Sequence, residues 1–134
     1  MDAPLIRFLL AAVLAAVLFG SYRAITAAVL ARAARKARRP ASFTPGTPGV
    51  LYFTTPDCVT CKAAQKPALS ELARRLPGAV QVIEIDAAGD ADMARQWSVL
   101  SVPTTFVLDR SGRPRQVNHG FASADKLLGQ LAAL

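Results

Sequence analysis

Cys58 and Cys61 are the only cysteines in the chain, three apart in Thr55-Pro56-Asp57-Cys58-Val59-Thr60-Cys61-Lys62. Both thiols therefore belong to one local site, and a bridge to another part of the chain is impossible. They fall between an apolar run, Val50-Leu51-Tyr52-Phe53, and a helical pattern that extends from Val59 to Leu76. At such a strand-to-helix junction the first sulfur lies at a helix N-terminus, where free N–H groups and the helix dipole stabilise a thiolate. The second cysteine lies one turn further in, close enough to attack a mixed disulfide formed at the first. The spacing predicts thiol–disulfide exchange.

Two blander uses of the pair compete with this one. Tetrahedral zinc wants four ligands, yet the sequence adds only His119, far along the chain, and no second cysteine pair. No metal and no cofactor are expected. A purely structural Cys58–Cys61 bridge closes too short a loop to add much stability by the loop-entropy argument. It survives as the alternative of a redox-inactive binding module.

The elements that must hold the cysteines are legible. Val50–Thr54 is nearly all apolar, as expected of a strand buried on both faces. The helix Val59–Leu76 should bend at Pro67 and stop at Pro77-Gly78. Ala79–Asp86 reads as a second strand and Asp90–Trp97 as a short helix capped near Gly89-Asp90. Thr104–Leu108 and Gln116–His119 read as two strands joined by a turn that includes Asp109-Arg110-Ser111-Gly112. Ser123–Leu134 closes the chain as a helix capped by Ser123, with Leu127, Leu128 and Leu131 inward. In the order β-α-β-α-β-β-α, the helical crossover makes the first two strands parallel neighbours, and the short turn makes the last two antiparallel. Trp97 reads as core filling, and His119 as a solvent-exposed strand end.

The first 31 residues read as a transmembrane anchor, 32–48 as a basic flank and Pro/Gly linker, and 49–134 as the folded domain. Phe8 to Gly20 carries no charge, and a span needs about 20 residues. Two frames fit: roughly Ala3–Tyr22 with Arg7 near one end, or roughly Phe8–Ala28 with Arg23 near the other. In either, the arginine can snorkel to the interface. A cleavable signal peptide with the core Phe8–Phe19 competes, but Asp2 offsets Arg7 and no clean small-x-small site follows before Arg23. The run Arg32 to Arg39 prefers the cytoplasmic side, which places the domain on the cytoplasmic face of a single-pass membrane protein. Residues 1–43 carry seven basic side chains against Asp2 alone, and residues 44–134 carry nine against eight acidic ones. The domain is thus nearly neutral and has no basic stripe with interleaved aromatics, so no nucleic-acid partner is expected.

With Cys58-Val59-Thr60-Cys61 opening the first helix, Val102-Pro103-Thr104 before the third strand and Gly120 after the last, residues 49–134 resemble the thioredoxin superfamily. The resemblance implies a thioredoxin-like α/β fold preceded by one N-terminal transmembrane helix. It also implies Cys58 as the attacking thiol and Cys61 as the resolving thiol. Pro103 would be a cis-proline facing the disulfide, and the Val102 backbone would pair with an extended substrate segment. Taken alone, Pro103 reads as an ordinary trans proline at a strand start.

The sequence also departs from the family pattern. The family's Trp-Cys-Gly-Pro-Cys is here Asp57-Cys58-Val59-Thr60-Cys61. Asp57 puts a negative charge beside the nucleophile, Thr60 can offer a hydroxyl toward a sulfur, and Lys62 can offset Asp57. Tyr52 stands where the family has a buried acid, and a phenol ordinarily keeps its proton up to about pH 10. The family lysine near Val82 is missing. The expected activity is a protein disulfide reductase, favoured by a compartment that keeps thiols reduced. Its partners would be a protein or small-thiol disulfide, an electron donor that the sequence does not name, and the membrane.

Overall fold

The computed structural model describes residues 2–134. A 34-residue helix, α1 (Ala3–Lys36), precedes the strand β1 (Gly49–Thr54). A π-helical turn, Cys61–Gln65, then runs directly into α2 (Lys66–Arg75). β2 (Gln81–Asp86), α3 (Ala91–Gln96), β3 (Thr104–Leu108), β4 (Pro114–His119) and α4 (Ala124–Ala132) follow. The sheet order is β2-β1-β3-β4. β1 and β2 are parallel, and the other two pairings are antiparallel. This is a thioredoxin-like α/β fold with a mixed four-stranded sheet and a long apolar helix in front.

Every residue of the two central strands, β1 and β3, is buried. Side chains alternate across a strand, so the sheet has two apolar faces. One gathers Leu51, Phe53, Phe106 and Leu108 with Trp97, Phe43 and Ala33. The other gathers Val50, Tyr52 and Val107 with Cys61, Leu69, Leu72 and Leu127. Trp97 fills the first face, its ring 4.9 Å from that of Phe106 and edge-on to it. The two short helices start where a side chain caps them. Asp90 accepts from the Met93 N–H, and Ser123 accepts from the Lys126 N–H.

The helix after the cysteines is not uniform. Pro67 has no N–H, and in a regular α-helix its ring would press on the Ala63 carbonyl. The chain winds its preceding turn wider, with the Lys66 N–H donating to the Cys61 carbonyl five residues back. The sequence expects a bend here, and the structure provides a π turn.

α1 has two parts. From Leu5 to Ile25 its large apolar side chains are exposed, Phe8 at 75%, and the helix is long and apolar enough to cross a membrane. Further along, Val29, Leu30, Ala33 and Ala37 pack on the sheet. The irregular stretch that follows is also packed. Phe43 is buried, the Arg38 carbonyl accepts from Trp97 Nε1, and Gln81 holds Thr44 through both its backbone N–H and its carbonyl.

Candidate active site

β1 delivers the chain to Thr54, and a tight turn carries it to Cys58, whose N–H donates to the Thr55 carbonyl at 3.2 Å. Cys58 and Cys61 are disulfide-bonded, with Cα atoms 5.3 Å apart. Cys58 is half-buried and Cys61 fully buried. The Cys61 N–H donates to Cys58 Sγ at 3.2 Å. The outer sulfur therefore occupies the capping position of the helix, where an unpaired amide meets the atom that carries negative charge once the bond is reduced.

The Val102–Pro103 peptide bond is cis. Pro103 is buried and Val102 half-buried, and Val102 packs with Cys58 against the cluster that holds Cys61 and Ala122. The sequence-predicted residues Cys58, Cys61 and Val102 thus meet in one place. Asp57, Thr60 and Lys62 are exposed around it. Among the described residues no ion pair joins Asp57 to Lys62. His119 is exposed at the end of β4.

Gln65 is the site residue that sequence reasoning overlooks. It is fully buried, donates through Nε2 to the Ala122 carbonyl at 3.0 Å and accepts the Ala122 N–H at 2.9 Å. Two residues earlier, the Gly120 N–H donates to the Pro103 carbonyl at 2.8 Å. Gly120 has a φ of 87°, a backbone region that favours glycine. The cysteine turn, the loop after β4 and the proline loop are thereby tied in series. The available signal was a glutamine four residues after Cys61, on the helix face that otherwise carries apolar Leu69 and Leu72.

Tyr52 is 1% exposed, and its hydroxyl has no hydrogen-bond partner. It borders a cavity of about 150 Å³ that Lys62, Lys66, Glu84 and Asp86 also line. Lys66 pairs with Glu84 at 3.6 Å across that opening. Three large apolar side chains are exposed on the segments that frame the disulfide: Val59 at 77%, Leu100 at 96% and Phe121 at 50%.

Residues 44–133 match the Thioredoxin family. The chain belongs to the thioredoxin family. Solved thioredoxins share its fold. Thioredoxin-2 of a malaria parasite is 24% identical, with 66% of this chain and 84% of that one covered and a TM-score of 0.61. Mitochondrial thioredoxin 3 of Saccharomyces cerevisiae, in its oxidised form, is 24% identical over 65% of this chain and 78% of its own, with a TM-score of 0.56. A thioredoxin-like protein of Clostridium perfringens is 26% identical over 68% and 73%, with a TM-score of 0.59. No curated protein matches the sequence. At family level the thioredoxin domain and its Cys58–Cys61 pair support a thiol–disulfide oxidoreductase.

Proposed function

We propose that this thioredoxin-family chain is a membrane-tethered protein disulfide reductase. The observation that carries the reading is the Cys58–Cys61 disulfide at a helix mouth, its outer sulfur held by the Cys61 N–H. In the reduced enzyme the Cys58 thiolate attacks a substrate disulfide, forming a mixed disulfide and releasing one substrate thiolate. The Cys61 thiolate then attacks Cys58 Sγ, forming the intramolecular bond and releasing the second substrate thiolate. Two electrons pass to the substrate, and a donor must return two to regenerate the dithiol.

Val102 and Pro103 supply the backbone edge for an extended substrate segment. The apolar Val59, Leu100 and Phe121 favour a protein segment over a small thiol, since they offer area that only a polypeptide can cover. Asp57, Thr60 and Lys62 modulate the charge around the outer sulfur. The exposed apolar part of α1 supplies the anchor, and the basic run Arg32 to Arg39 favours a cytoplasmic domain.

Reduction of a protein disulfide by the full-length chain tests this reading. Cys58→Ser should abolish turnover, while Cys61→Ser should accumulate a mixed disulfide visible on a non-reducing gel. No turnover by the parent chain, with function in the cell unaffected by Cys58→Ser, would replace the enzyme with a membrane-anchored binding module.

A further inference from the structure

α1 constrains where a bilayer can lie. Val29, Leu30, Ala33 and Ala37 pack on the sheet, and the Thr26 hydroxyl is buried without a partner, so protein covers this face of the helix. Upstream, Ala3–Tyr22 is one span long at 1.5 Å per residue. Tyr22 and Arg23 then stand at the interface, with the Arg23 guanidinium 5.9 Å from the centre of the Phe19 ring. Tyrosine and arginine are both favoured at that level.

At the same level a groove of about 410 Å³ opens between α1 and the sheet edge formed by β4, with α4 as its far wall. Arg23 and Thr26 line it from α1, Arg115 from β4, and Lys126 and Gln130 from α4, with no carboxylate among the lining residues. Asp109 reaches Arg115 only at 3.6 Å. Asp125, beside Lys126 in sequence, is engaged by Arg75 at 2.6 Å. Arg23 and Lys126 have no ion-pair partner among the described residues. Three cations from three elements therefore converge beside an orphaned hydroxyl, one helical turn from the end of the span.

We propose that this groove binds the phosphate headgroup of an anionic membrane lipid and so clamps the β4 edge of the domain against the bilayer. The proposal rests on α1 crossing a membrane. A zwitterionic headgroup brings a cation with its phosphate and adds no net charge, whereas an anionic one compensates Arg23 and Lys126 and engages the donors beside them. Each cation near such a surface is worth about fivefold in binding.

The test uses the full-length chain in nanodiscs of phosphatidylcholine alone, or with about a third phosphatidylglycerol, read by amide hydrogen exchange over residues 115–118 and 126–130. Exchange should slow several-fold in the anionic discs. Arg23→Gln, Arg115→Gln and Lys126→Gln combined should remove that slowing without changing insertion, and Arg23→Lys with Arg115→Lys should preserve it. Equal exchange in both discs, or slowing that survives the triple substitution, would overturn the site. Equal protection by inorganic phosphate in neutral discs would overturn the lipid as its occupant. Failure to insert into either disc would instead overturn the anchor, and the clamp with it.

Discussion

The two faces of the sheet do different work with different contacts. On the face covered by α1 and α3, Phe53, Phe106 and Trp97 pack ring against ring, and Ala33 and Phe43 close the gaps. On the face covered by α2 and α4, the core includes Cys61 and is pinned by Gln65, whose amide makes both of its bonds to the Ala122 backbone. Apolar packing is non-directional and supplies stability in proportion to buried area. Hydrogen bonds add less net energy but fix direction. Both faces contribute buried apolar area, and the second adds the hydrogen bonds that align the disulfide with the proline loop.

Substitutions can break that division. Phe106→Ala should have the largest effect, about 3–5 kcal/mol of unfolding free energy. The folded fraction should keep its dithiol potential, because Phe106 lies on the face away from Cys61. Denaturant titration alongside a redox titration separates the two quantities. Gln65→Ala should cost about 2–3 kcal/mol, since it strands the buried N–H and carbonyl of Ala122. Unlike the Phe106 change, it should also slow disulfide reduction under conditions where the variant remains fully folded, by loosening the loop that holds Pro103. An unchanged rate would mean that the clamp only stabilises.

Asp109 gives a control remote from the chemistry. Burial raises its carboxyl, but bonds from the Ser111 hydroxyl and the N–H groups of Arg113 and Ser111, with the Arg115 charge, outweigh that and hold it below the ordinary carboxylate value. A depressed folded-state value means that its stabilisation is fully present above the ordinary carboxylate range and is lost as pH falls through the folded value. Asp109→Asn should therefore cost about 1 kcal/mol at neutral pH, with the gap from the parent narrowing in acid and activity unchanged. A pH series of denaturant midpoints reads this. The smallest effect should come from Tyr52→Phe, which removes an unpartnered buried hydroxyl from the reactive face. Stability should hold or rise by up to about 1 kcal/mol, and a marked loss would show that the hydroxyl is bonded through water.

Much of this division is written in the sequence. The apolar run through Phe53, the Asp90 and Ser123 caps and the Cys58–Cys61 spacing each follow local rules, and local rules predict local structure. The Gln65 clamp does not, because its partner lies 57 residues away. Pro67 announced a disturbance but not its form, since a kink and a π turn both relieve the same clash. The docking of α1 was hidden for a different reason. Arg32, Arg35 and Lys36 make the end of α1 read as a solvated basic flank, and the small Ala33 among them gives little sign that it joins the cluster of Trp97 and Leu108. The Pro/Gly stretch after α1 is irregular, as its composition requires, yet Phe43 anchors it to the core. One buried ring in an otherwise polar loop was the available signal.

Cys58 and Cys61 should form a reversible two-electron couple poised to reduce other disulfides. An equilibrium redox titration of the full-length chain in detergent, with thiol trapping at each potential, tests it most directly. One reversible transition near that of thioredoxin, about −270 mV, is expected. A transition near about −120 mV would make the protein an oxidant, and no reversible Cys58–Cys61 couple at all would contradict the enzyme reading outright.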